Sequence, residues 1–510
     1  METVQTEKIQ EENKSRAGEL LFCGPTCWSS VGRKKVANDT NLISPTRLRP
    51  LVGINISFVA SGCASCHCVA LDVEGRCYTW GRNDKGQLGH GDTAQRDSPT
   101  VVSALSKYKI INGGTGRNHT VVVAEDGQSF SFGWNKHGQL GIGSIKNEIE
   151  PSPVKCLVSD ATTATCGAEF TVWLTSVEGS SIQTAGLPQY GQLGHGTDNE
   201  YNMKESSVKL VYEPQSRPKA IASLSSETIV KVACGSNHTV AVDSTGHAYT
   251  WGFGGYGRLG HREQKDEWVP RRLDVFQRSN VLPPNAIVSA GAANSACTAG
   301  GGQLYMWGKL KNNADDWMYP KPLMDLSGWN LHCMDSGSAH HFVGADSSCI
   351  SWGTSQCGEL GYGPLGPKSS ANPKKVESLE GMTVFGVACG MAQSLAIVDR
   401  TGFEERLNQM EVYDGNGPEE KNVEDEVKEV GNKKVREAKK RELSSESEVE
   451  ESEADESDYD ESASTKGTRK RGRGGPRGRG RGRGRGRSSQ GKGAGSVMVN
   501  GGKGGRPRKR

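Results

Sequence analysis

Cys63, Cys66 and Cys68, with His67 among them and Cys77 close by, put thiolate and imidazole donors at a spacing from which tetrahedral zinc sites are made. The run SGCASCHCVAL, however, holds the place of a strand that recurs along the chain. The thiols are therefore expected to be small buried strand residues, and no metal is expected. His119 in GRNHT and His238 in GSNHT recur at one phase, with His67 and His341 nearby in theirs. Such imidazoles could ring an axis and hold a ligand. The alternative is a polar strand residue satisfied by a neighbouring unit, and Phe170, Ser295 and Ser394 interrupt the set. His90, His195 and His261 follow GQLG or GRLG and read as turn residues. No Ser–His–Asp order, phosphate-cradling loop or paired carboxylates stand out. The Gly-x-Gly strings read as turns, so no catalytic residue and no cofactor are expected.

The C-terminal residues offer a different chemistry. Arg471, Arg473, Arg477, Arg479, Arg481, Arg483, Arg485 and Arg487 are spaced by glycine, and Arg506 and Arg508 flank Pro507. Glycine leaves each guanidinium free to reach a phosphate, so salt-sensitive contact with DNA, chromatin or RNA is expected. The Pro-Arg strings also resemble partial AT-hooks, which lay arginine into a narrow minor groove. Lys433, Lys434, Lys439, Lys440 and Arg441, with Arg506 to Arg510, fit clusters that importins read, which predicts a nuclear protein. Ser445, Ser447, Ser452 and Ser457 each have an acidic residue three places on and resemble casein kinase 2 sites; phosphate there would add negative charge.

Composition frames these residues. The 510 residues carry 62 Lys+Arg and 59 Asp+Glu. From Phe403 onward there are 26 basic and 22 acidic residues, which leaves the first 402 residues with 36 and 37. Residues 442–461 hold eleven carboxylates and no basic group, whereas 466–510 hold seventeen basic groups and no carboxylate. Such blocks cannot bury a core and are expected to be disordered. The acidic block is expected to screen the basic one. No run of eighteen apolar residues exists, so no membrane helix is expected. The polar start, Met1–Arg16, has no apolar segment and reads as no secretory signal. Fourteen cysteines then read as thiols of a reducing compartment.

The elements that must position these residues repeat. WGRNDKGQLGHGD (80–92), FGWNKHGQLGIGS (132–144), AGLPQYGQLGHGT (185–197), WGFGGYGRLGHRE (251–263) and WGTSQCGELGYGP (352–364) are copies of one segment, with worn copies at 22–34 and 307–320. A second segment, such as CGSNHTVAVDSTG, alternates with it seven times. Anchors from Phe22 to Trp352 lie 58, 52, 53, 66, 56 and 45 residues apart. In each copy two apolar runs flank a Gly-ended loop, which predicts a hairpin. Leu88, Leu140, Leu193, Leu259 and Leu360 are expected to plug inward from the GQLG turn. Four short strands per copy cannot bury both faces alone, so neighbours must stack. Seven units close into an all-β, seven-bladed β-propeller followed by a disordered charged tail. The expected divisions are an N-terminal arm at 1–18, the propeller at 19–402, a charged linker with the acidic serine tract at 403–465 and the basic tail at 466–510. Leu20-Leu21-Phe22 is expected to pair with the last unit and close the ring. The segment 198–228 is long for its place and could meet a partner. In GFGGYGRLGHREQKDEW (252–268), Tyr256, Arg258 and Trp268 are expected as exposed partner anchors, with blade packing as the alternative for Tyr256 and Trp268.

These doubled markers resemble the regulator of chromosome condensation repeat family over about residues 19–400. WGFGGYGRLGHREQKDEWVPR (251–271), MYPKPLMDLSGW (318–329), CGAEF (166–170) and GELGYGPLGPKSS (358–370) are most similar to its subfamily of second regulators. The resemblance implies a non-enzymatic scaffold that binds a small GTPase of the Rac, Ral or Ran type, with chromatin and microtubules as further partners. It also leaves open guanine nucleotide exchange, or a nucleic-acid-binding protein whose propeller is structural. The family's founding member exchanges nucleotide on Ran through a wedge inserted in the third repeat. Here that repeat reads AGLPQYGQLGHGT and is expected to carry no such insertion. Another member, a UV-B photoreceptor, repeats Gly-Trp-Arg-His-Thr; GRNHT and GSNHT place Asn before the His, so photoreception is not expected.

Overall fold

The computed structural model describes residues 17–32, 41–197, 200–204, 207–311 and 315–415. Its hairpins follow from local chemistry. Gly246 sits at φ +84° between His238–Asp243 and Ala248–Gly252, a left-handed position that glycine adopts without a Cβ clash. Three such antiparallel pairings make one blade. The second blade runs Ile110–Thr115, His119–Ala124, Ser129–Trp134 and Ile149–Lys155 from inside to outside. The second strand is buried throughout and reads as a continuous apolar run. The outermost strand is half-exposed and carries Pro151 and Pro153, which suit a strand with one free edge. The same order builds blade 1 (56–101), blade 3 (161–220), blade 4 (229–272), blade 5 (288–322) and blade 6 (331–375).

The seventh blade joins both ends of this unit. Val384–Cys389 and Ser394–Val398 form its inner half, and Glu19–Gly24 and Leu42–Leu48 its outer half. Leu20 pairs with Ile397, Leu21 with Ala396 and Phe22 with Leu395, so the expected ring closure is present. The hydrophobic core is not central. A separate apolar cluster fills each of the seven gaps between neighbouring blades; Leu20, Phe22, Trp28, Leu395 and Trp80 meet in the closing gap. Small residues line the innermost strands because seven of them converge. A Cβ on Gly114 would stand 2.8 Å from Thr165 Cα of the next blade.

Two features depart from the reading of the sequence. The ordered chain continues past 402: a helix, α1 (Glu404–Gln409), buries Leu407, and Val412–Tyr413 adds a fifth, parallel strand to blade 7 beside Leu42–Leu48. High charge between 403 and 415 hid this, because Arg47 supplies the anchor by donating to the carbonyl of Leu407 at 3.0 Å. The third blade also carries an inserted pair of strands, Glu200–Lys204 and Ser207–Tyr212, between its third and outermost strands. The excess length of 198–228 predicts an insertion here; only the expectation that the third repeat carries none is corrected. The marker AGLPQYGQLGHGT is intact, and the insertion follows it directly. Among the described residues no helix is long and apolar enough to cross a membrane.

Candidate functional site

The in-phase histidines are the most regular polar feature of the propeller. His67, His119, His238 and His340 each start a second strand and are buried. Their Nε2 atoms reach the hydroxyls of Thr120 (2.7 Å), Thr171 (3.0 Å), Ser295 (2.8 Å) and Ser394 (2.9 Å), each in the next blade. The Thr120 hydroxyl donates to the carbonyl of Gln87, and the Thr171 hydroxyl to that of Gln139, at 2.8 Å each. Each threonine must then accept, which fixes His67 and His119 as Nε2–H tautomers. Burial holds His67 and His119 down at about 3, so both are neutral donors at physiological pH. They stitch blade to blade and form no ligand ring.

The phase needs correcting by one residue in three places. His340, not His341, is the equivalent of His119. Ser295 and Ser394 do not interrupt the set: they are its acceptors, and the in-phase residues are Asn294 and Gln393. Only strand pairing separates adjacent positions in a run such as SAHHF, because a shift of one residue exchanges the two faces. The glycine three places before the histidine has a clear role. A Cβ on Gly116 would lie 2.1 Å from the His119 ring, and one on Gly235 equally close to that of His238. GQLG serves the same stitching: Leu88, Leu140, Leu193, Leu259 and Leu360 are all buried, as expected. His90, His195 and His261 bond to Thr79, Thr184 and Thr250 at 2.8–2.9 Å and are turn residues.

The cysteine run is likewise structural. His67 has both ring nitrogens engaged, Nδ1 by Ser65 at 2.9 Å. Cys66 lies against Met391 at 3.6 Å, and Cys68 is buried in its strand. Burial pushes the thiols of Cys63 and Cys166 up to about 11 and about 12, which leaves them protonated and unreactive. Cys63 also stands 3.5 Å from Ser236, so loops of the first and fourth blades meet at the axis. Backbone bonds link these loops in series, from Arg117 to Ala168 and from Ala168 to Ser236.

Two buried carboxylates went unnoticed in the sequence because nothing in DSGS or GAEF signals burial. Asp335 accepts from the Cys389 N–H at 2.8 Å and the Ser289 hydroxyl at 3.3 Å, bridging blades 5, 6 and 7. Burial raises it to about 7. Glu169 accepts from Gln139 at 3.1 Å and is also raised to about 7 by burial, opposed by Arg117. A carboxyl whose folded pKa exceeds its unfolded one stabilises the fold in its protonated form. The contribution of these two carboxyls should be lost as pH rises from about 4 to about 7, opposite in sign to that of the buried histidines, which grows over the same range. Asp335→Asn should remove its share of this loss and melt several degrees above the parent protein at pH 8, with the gap closing near pH 4. Melting curves across that range check it.

The three proposed partner anchors separate. Arg258 is fully buried. It donates from Nε to the Gly255 carbonyl at 3.0 Å and from one terminal nitrogen to the Ala292 carbonyl at 2.7 Å, and it stacks 4.6 Å from the Phe253 ring. It is a blade-packing residue that replaces the glutamine of GQLG, so its reading as an exposed anchor is corrected. Tyr256 (φ +61°) and Trp268 are half-buried on the rim of blade 4; Trp268 covers Gly191 of the third blade. The arginines from Arg471 to Arg508, the clusters Lys433–Lys434 and Lys439–Arg441, and the serines at 445, 447, 452 and 457 lie outside the described residues.

Comparison with known proteins agrees with this architecture. The model of the regulator of chromosome condensation (RCC1) repeat matches residues 74–123, 126–174, 184–242, 245–298 and 346–397. The chain is similar to Protein RCC2 of Mus musculus, 37% identical over 434 residues covering 80% of this chain and 82% of that protein. It is similar to Protein RCC2 of Homo sapiens at 37% over 416 residues, 77% and 78% of the two chains. Among solved structures, yeast RCC1 (Prp20) bound to Kap60 superposes with a TM-score of 0.61 at 19% identity, over 78% of this chain and 94% of that one.

Proposed function

Because the chain belongs to the regulator of chromosome condensation repeat family, we propose that it is a propeller scaffold that binds a small GTPase and contacts chromatin or RNA through its Arg-Gly tail. As a family member it is a regulator or scaffold. The observation that carries the partner reading is the insertion Glu200–Tyr212, the only two-stranded departure from the blade plan among the described residues. Beside it, His195, Glu213, Arg217 and Lys219 line a polar hollow of about 350 Å³.

The same insertion favours a second reading, nucleotide exchange, since the resemblance places the family's exchange wedge in the third repeat. Exchange needs only a surface that disfavours bound nucleotide, so it requires no catalytic triad. The two readings part in a release assay with Ran, Rac and Ral loaded with fluorescent GDP. A scaffold binds one of them without accelerating release; an exchange factor accelerates it, and loses this when 200–212 is replaced by a short Gly-Ser turn. If none of the three binds, both readings fail.

For the tail, removal of residues 442–461 should tighten binding to DNA or RNA at about 0.1 M salt, because eleven carboxylates no longer compete for the arginines. Equal affinities in an anisotropy titration would reject this screening. Nuclear import through Lys433–Arg441 is tested by the location of a variant with these basic residues replaced.

A further inference from the structure

We propose that the rim of blades 4 to 6 is a second nucleic-acid contact, a stacking platform for single-stranded RNA or DNA that is independent of the tail. Arg262, in the turn of blade 4, donates its backbone N–H to the Met318 carbonyl of blade 5 at 2.8 Å. That bond holds its guanidinium 4.5 Å from the Tyr319 ring. Lys321 lies 5.2 Å from the Tyr319 ring and 5.2 Å from that of Trp317. Trp317, Tyr319 and Lys321 alternate along one outermost strand and so share a face. Two cations and two aromatic rings therefore interleave on the rim.

Their charge is uncompensated. Arg271 beside them is held by Glu263 and Glu267, and Lys375 by Glu380. Arg262 and Lys321 have no carboxylate partner among the described residues. The strip continues into a groove of about 300 Å³ between blades 5 and 6, walled by Trp317, Trp352, Leu310 and Met324. Met324 is 67% exposed. Pro320, Pro322 and Pro373 remove edge donors, so a partner strand cannot extend the sheet there. Recognition must come from side chains.

Uncompensated cations call for an anion, and the half-exposed rings of Trp317 and Tyr319 call for flat rings. A single strand supplies both: bases stack on the rings while phosphates lie on Arg262 and Lys321. A duplex hides its base faces and fits poorly. Asp315 and Asp325 also line the groove, which directs the phosphates to the Arg262–Lys321 side and leaves the groove for a base.

The test uses the full-length protein, crosslinked by ultraviolet light to a labelled oligouridylate of about twelve nucleotides, with adducts mapped by mass spectrometry. Adducts are expected within Trp317–Lys321. Their yield should fall about tenfold in Arg262→Glu/Lys321→Glu and in Tyr319→Leu, with unchanged melting temperatures. Adducts confined to residues 466–510 would overturn the proposal and leave the tail reading standing; adducts in neither place would sink both. If oligoglutamate of equal charge removed the Trp317–Lys321 adducts as well as unlabelled oligouridylate does, the surface would read charge alone and suit an acidic protein, and the proposal would fall.

Discussion

Deleting residues 1–24 should abolish the cooperative thermal transition. The strand Glu19–Gly24 lies in the interior of blade 7, paired with Ser394–Val398 on one side and Leu42–Leu48 on the other. Leu20, Leu21 and Phe22 are buried in the clusters on both sides of that blade. Truncating one such side chain costs about 2–5 kcal/mol. Losing all three together matches the total stability of a typical domain, about 5–15 kcal/mol. Ser394–Val398 and Leu42–Leu48 would then each present an edge that Glu19–Gly24 now pairs. Calorimetry on this deletion, with a deletion of residues 1–16 as control, checks the expectation. A sharp melt near the parent temperature in the longer deletion would mean the ring holds without its clasp.

The second large effect concerns a charge that the closure encloses. Glu19 pairs through Oε1 with Arg47 Nε at 3.0 Å and through Oε2 with Arg400 Nε at 2.8 Å. Arg400 continues to Asn55 and to the carbonyl of Ile54 in the first blade; Arg47 continues to α1. One carboxylate thus ties the N-terminal strand, the last inner hairpin, the first blade and the C-terminal helix. Glu19→Ala leaves two arginines facing each other in a largely dry site. Breaking a buried pair this way costs about 3–5 kcal/mol, far above the fraction of a kcal/mol expected for the exposed pair of Lys109 and Glu125. Denaturant unfolding of Glu19→Ala, Arg400→Ala and the double variant gives the test. The double variant should be less destabilised than the sum of the singles, because the second substitution removes a charge that the first left unpaired.

By itself the amino-acid sequence determined the repeat, the blade count and the closing strand. Each copy states its hairpin through a turn glycine and its stacking face through a run of buried residues, and both signals are local. The thiols and turn histidines were legible for the same reason: they sit inside copies whose place is known from six siblings. Tertiary structure alone decided matters that depend on what lies across a gap. Arg258 looks like a surface residue until the carbonyls of Gly255 and Ala292 and the ring of Phe253 enclose it. His340 and His341 differ only by strand register, which sets one toward the next blade's hydroxyl and leaves the other on the opposite face. Asp335 carries no mark of burial in its own strand. α1 was hidden by its charge, and it is anchored by an arginine some 360 residues earlier in the chain. Local turns and periods are written in neighbouring residues; the polar contacts that bolt seven blades together join residues a full repeat or more apart, and only the closed ring brings them within bonding distance.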